Sequence, residues 1–193
     1  MLEKGYTEKN LSFSMLKAQM MALVMTLPVV LVLGGLYIVV NGVGERASGA
    51  GFWLLFIVVM LAGIVLHELI HGAVGAAFTK KKWRSIHFGV DWATLTPYCH
   101  CAEPLSMPQY ALLCALPTVV LGFLPYLLGL VSGYGPAAWY GLLFILAGGG
   151  DAYMLWLIRK ERHGLILDHP YLAGCVVFYP NQQDCVPLIK SAQ

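Results

Sequence analysis

LSMPQYALLCALPTVVLGFLPYLLGLVSGYGPAAWYGLLFILAGGGD, residues 105–151, carries no Asp, Glu, Lys or Arg until its last position. A membrane-spanning helix needs about 20 apolar residues, so this stretch is too long for one span. SGYGPA at 132–137 supplies the Gly/Pro break of a turn. The stretch therefore reads as two helices, at about 108–131 and 137–158.

The same test applied upstream finds two more. Residues 18–44 are free of charge, and residues 47–79 carry only Glu68. These give spans at about 19–41 and 52–78. The first is longer than the apolar core of a signal peptide, and no small-x-small cleavage site follows it closely, so it reads as an uncleaved anchor. The whole chain agrees: 59% of its 193 residues are hydrophobic and 11% charged, with mean hydropathy +0.71, where a soluble domain is about a quarter charged. The expectation is an all-α membrane protein of four transmembrane helices, one integral membrane domain over residues 1–193. A net charge of +2 with no basic-aromatic stripe gives no footprint for nucleic acid. The five cysteines are an odd number in a membrane chain and do not read as a disulfide framework. The oligomeric state is left open.

Basic residues orient the bundle. Lys4, Lys9 and Lys17 precede the first span; Lys80, Lys81, Lys82 and Arg84 follow the second; Arg159, Lys160 and Arg162 follow the fourth. All three clusters share one side only if there are four spans. Both termini are then cytoplasmic, as is the tail 159–193. The polar loop 80–107 contains SIHFGVDWATLTPYCHCAEPL (85–105), with β-formers and a central Gly89, and reads as a short hairpin or ribbon. The tail, with Pro170, Pro180 and Pro187 around CVVFY (175–179), reads as a short strand and loops.

Inside the second span stands HELIH, residues 67–71. On a helix, positions i and i+4 share a face, so His67 and His71 point at one place. Glu68 stands beside the first histidine, where its carboxylate can reach a water activated by a metal and take its proton. Zn2+ suits two imidazoles and brings the pKa of water it binds to about 7. Polar groups in lipid are costly without partners. The competing reading is a polar contact between helices with no metal.

A catalytic zinc needs a third protein ligand. Asp151 is the one carboxylate of the fourth span. His67 and Asp151 lie about 15 and about 14 residues from the outer ends of their helices, so both sit roughly 22 Å deep at the α-helical rise, in the cytoplasmic half. AGGGD (147–151) would let helices approach closely. The alternative is that Asp151 caps the span near Arg159 and Lys160. His87, His100, Glu103, His163 and His169 are further ligand candidates, each more simply read as solvated. In CHC (99–101) an extended backbone puts Cys99 and Cys101 on one face and His100 on the other; a second, structural metal site there lacks a visible full ligand set, and reduced cysteines are the default.

HELIHG in a membrane span, then TPYCHCAEPL (96–105), GGGD (148–151) and DHP (168–170) together resemble the DUF3267 family of zincin peptidases over about residues 60–180. The resemblance implies a multi-pass protein of the bacterial cell membrane, distantly similar to site-2 proteases. It implies His67, His71 and Asp151 as zinc ligands and Glu68 as catalytic base. Where site-2 proteases carry an Asn-Pro-x-x-x-Leu-Asp-Gly type of motif, this chain has Gly149-Gly150-Asp151 without the Asn or Pro.

The expected function is a membrane-embedded zinc metalloprotease. It would hydrolyse peptide bonds of membrane or membrane-proximal substrates, with the 85–105 ribbon capturing an unwound strand. The alternatives are a zinc hydrolase acting on a lipid or another amide or ester, and a non-enzymatic metal-binding or transport protein. Transporters place polar groups along a path, whereas here they gather at one depth.

Overall fold

The computed structural model describes residues 5–43, 50–161, 163–169 and 172–180. The expectations for Arg162, Pro170, Pro187, Cys185 and the rest of the tail beyond Pro180 lie outside those residues, as does Lys4. Three helices are long and apolar enough to cross a membrane: α1 (Met15–Asn41), α2 (Ala50–Phe78) and the run Met107–Ser132. The last is α3 (Met107–Pro117), a π-helical stretch Thr118–Phe123 and α4 (Leu124–Ser132). Pro117 and Pro125 bracket this wider stretch, where a residue without an N–H cannot continue the regular ladder. α3 opens on Ser106, whose backbone N–H donates to Gln109 Oε1 at 2.9 Å, satisfying a donor the helix leaves orphaned.

The fourth expected helix is broken. α5 (Gly135–Ala147) and α6 (Gly149–Ile158) meet at Gly148 with a bend of 46°. As one bent span they bring the candidate total to four. Three consecutive glycines explain the break, since each is a poor helix former by about 1 kcal/mol. Large apolar side chains point outward along these helices, Val39 and Val131 among them. Such a surface is costly in water and ordinary against lipid, and the chain is compatible with a membrane protein.

Beside the helices stand the expected hairpin and, correcting the all-α expectation, a four-stranded sheet. The ribbon is a hairpin, with β2 (Ile86–Asp91) antiparallel to β3 (Thr96–Cys101), His87 opposite His100 and Phe88 opposite Cys99. Its turn is set by Asp91, whose Oδ1 accepts the Ala93 N–H at 2.9 Å. The second sheet runs β1-β6-β5-β4. It joins β1 (Tyr6–Asn10), before the first helix, to β6 (Cys175–Pro180), β5 (Leu165–Asp168) and β4 (Leu105–Ser106). Neither β1 nor β5 is expected from the sequence. Glu161, 6% exposed, fastens this sheet to the end of α6 by accepting from Lys9 Nζ at 2.7 Å and from the Tyr179 hydroxyl.

Two apolar cores result. Tyr37, Tyr126, Ala138, Leu142 and Ile145 join α1, α4 and α5, with the buried Tyr126 hydroxyl donating to Leu33 O at 2.7 Å. The other core joins α2, α3, α6, the hairpin and the larger sheet through Val74, Cys101, Leu113, Ile158, Ile166 and Val177. The candidate site lies against this second core.

Candidate metal centre

His67 and His71 stand one turn apart on α2, their rings 4.9 Å between centroids. Asp151 stands in the first turn of α6, where the positive end of the helix dipole favours a carboxylate. Its Oδ2 lies 3.1 Å from His67 Nε2 and 3.4 Å from His71 Nε2. The three side chains are 12%, 9% and 19% exposed, so bulk water does not hold them apart. Among the described residues these three form the group that could hold a metal, with ligand atoms within 4.8 Å of one another.

Two close approaches make the meeting possible. A Cβ on Gly149 would lie 2.7 Å from Ala22 Cβ of α1, so only glycine lets α6 start there, two residues before Asp151. A Cβ on Gly72, directly after HELIH, would lie 2.5 Å from the Phe88 ring. The hairpin thus packs onto α2 beside the histidines.

The donor set fits a zinc ion. Tetrahedral zinc at about 2.05 Å from its ligands separates them by roughly 3.3 Å, which matches the two observed separations. The His71 Nδ1 N–H donates to Leu113 O at 2.9 Å, so its Nε2 lone pair faces Asp151, the arrangement that orients ligating histidines. Phe144 lies over His67, 6.4 Å away at 30°. Asp151 does not cap toward Arg159, whose guanidinium instead lies 3.9 Å over the Trp156 ring.

Glu68 lines the same cavity of about 930 Å³ as the triad, close enough to both histidines and Asp151 to feel their charges. The cavity continues along the first turns of α1, under the hairpin and past Asp168, His169, Leu172, Ala173 and Gly174. His87, His100 and His169 reach it. Glu103 does not: it accepts the N–H groups of Lys80 at 3.0 Å and Lys81 at 2.9 Å, contacts that hold its carboxyl below the ordinary range. His163 is exposed. Cys99, Cys101, Cys114 and Cys175 are free thiols. Burial raises the thiols of Cys99 and Cys101 and pushes that of Cys175 up to about 12, so these three are neutral near pH 7.

Sequence reading gave no role to Tyr110 or Asp168. Asp168 accepts the Cys101 N–H at 2.7 Å on Oδ2 and the Tyr110 hydroxyl on Oδ1. It therefore ties β5, the hairpin and α3 together at the cavity wall. Burial raises its carboxyl above the ordinary range, against the pull of Cys101, Tyr110, His100 and His71. The available signal was the DHP run itself, an acid between the apolar LIL (165–167) and the strand-forming CVVFY (175–179). Asp168→Ala leaves the Cys101 N–H and the buried Tyr110 hydroxyl without acceptors, at about 1–3 kcal/mol each. We expect a loss of about 3 kcal/mol in total, read as earlier thermal exposure of the buried cysteines to a thiol-reactive dye. A midpoint equal to wild type would refute the tie.

The DUF3267 family, described as "Putative zincin peptidase", matches residues 60–166. The matched region holds His67, Glu68, His71 and Asp151 and stops short of Asp168. No curated protein and no solved structure matches the chain.

Proposed function

The chain belongs to the DUF3267 zincin peptidase family, and on that premise we propose that it is a membrane-embedded zinc metallopeptidase. The observation that carries the proposal is the meeting of His67, His71 and Asp151 on the wall of the cavity that also holds Glu68. His67, His71 and Asp151 would hold the zinc. When bound, zinc supplies a Lewis acid that acidifies water and polarises a carbonyl. Glu68 takes the proton of the attacking water and hands it to the leaving amine nitrogen. Leu113 O keeps His71 in the tautomer that faces the metal.

The hairpin favours a peptide over a lipid. A lipid hydrolase needs no strand-binding edge. Here a two-stranded sheet, whose strands pair with each other alone among the described residues, forms one wall of the cavity. An extended substrate segment adds to it by main-chain hydrogen bonds. A span must unwind locally to present its backbone this way.

Orientation follows from chain geometry and charge. β1 precedes the first span and β5 and β6 follow the last, yet all belong to one sheet, which supports an even number of crossings. Lys9 and Lys17 precede the first span and Lys80, Lys81, Lys82 and Arg84 follow the second, which supports a cytoplasmic side for the sheet and the cavity mouth.

Purified in detergent, the chain is expected to carry about one zinc and to cut an unstructured peptide library. Chelation abolishes cutting and added zinc restores it. Zinc uptake without any peptide cleavage would move the chemistry to another class of bond. Failure to take up zinc would end the enzyme reading.

A further inference from the structure

Amide hydrolysis needs more than a base. As the carbonyl oxygen gains negative charge, a hydrogen-bond donor aimed at it lowers the barrier. Glu68 and the triad reach the cavity from α2 and α6. The hairpin forms another wall, and it offers His100. Its Nδ1 lies 4.0 Å from Asp168 Oδ2, and its side chain is 23% exposed.

Asp168 cannot follow a moving partner, because the Cys101 N–H and the Tyr110 hydroxyl fix both of its oxygens. The remaining gap to a hydrogen bond is about 1 Å. An imidazole whose Nδ1–H faces a fixed carboxylate has its tautomer and orientation set. Its Nε2 is then directed away from Asp168. His100, Asp168 and the triad all line the one cavity. The neighbouring candidates are held differently. The Tyr110 hydroxyl is donated to Asp168 and its side chain is 4% exposed. His169 Nδ1 accepts the Leu172 N–H at 3.0 Å. His87 lies opposite His100 across the hairpin, 6.2 Å between ring centroids, one strand farther from Asp168.

We propose that His100 is a further catalytic residue, donating a hydrogen bond from Nε2 to the substrate carbonyl oxygen as it becomes anionic, and that Asp168 is its positioning residue. The proposal rests on the hydrolase reading above and can fail without it.

The test uses two zinc-directed probes on the zinc-loaded full chain in detergent. A phosphinic peptide presents a tetrahedral anion like the reacting carbonyl. Acetohydroxamate binds through the metal and presents no such centre. His100→Ala is expected to weaken the phosphinic peptide on the order of a hundredfold and to leave acetohydroxamate affinity unchanged. His100→Gln, which keeps an N–H donor, recovers part of the loss. Equal phosphinic affinity in His100→Ala and wild type, with zinc and acetohydroxamate bound in both, overturns His100 alone. So does a wild-type chain that holds zinc and acetohydroxamate but not the phosphinic peptide. A wild-type chain that takes up no zinc overturns the hydrolase reading and this proposal together.

Discussion

Glu68→Gln is expected to keep about one zinc per chain and to lose peptide hydrolysis on the order of a thousandfold, within the range of a general base. Glutamine has the same length and nearly the same shape, so α2 and the cavity wall keep their packing. It is neutral and cannot take a proton from water. Glu68 stands outside the group of atoms that converge on one point, so metal content should not follow activity. The two readouts therefore separate. Elemental analysis of the detergent-purified variant reports the metal, and cleavage of a peptide the wild type cuts reports the base. Cleavage at the wild-type rate would remove Glu68 from the mechanism. Loss of both zinc and cleavage would make it a ligand.

Replacing Asp151 with alanine is expected to weaken zinc binding by more than about a hundredfold, beyond the loss typical for the outer partners of ligands. His67→Ala and His71→Ala should do the same. The reasoning is the number of donors. Two imidazoles on one helix hold an ion at one edge, and the carboxylate from α6, 3.1 Å and 3.4 Å from their nitrogens, closes the set. Glu103→Ala serves as the control, since Glu103 is engaged with the backbone after α2. Zinc kept in Asp151→Ala would shift the third ligand to a cavity histidine. Zinc lost in Glu103→Ala would point to general unfolding rather than to ligation.

The helices were legible because membrane spans announce themselves by what they exclude. Long stretches without charge set their limits to within a few residues, from Met15 to Phe78 and from Met107 to Ser132. The meeting of His67 with Asp151 was also legible. Two ionisable residues at equal depth on different helices have few other partners, and they lie in contact. The hairpin followed from β-formers around a turn. The larger sheet was hidden for a physical reason. Tyr6–Asn10 holds Glu8 and Lys9 and reads locally as a polar lead-in, yet it pairs with Val176–Pro180. Its stability comes from a partner at the other end of the chain, and no local pattern records that. The break at Gly148 was written in three glycines but was read as tight packing alone. Asp168 stayed silent because its partners, Cys101 and Tyr110, are near it only in space.

The pairing of β1 with β6 also sets a schedule. During synthesis the first strand leaves the ribosome long before its partner exists, and every membrane crossing is made in the interval. Contacts between distant parts of a chain form late. Asp168, His169, Leu172, Ala173 and Gly174, which line one wall of the cavity, run from the end of β5 to the start of β6, and so that wall cannot be completed until β6 has been made.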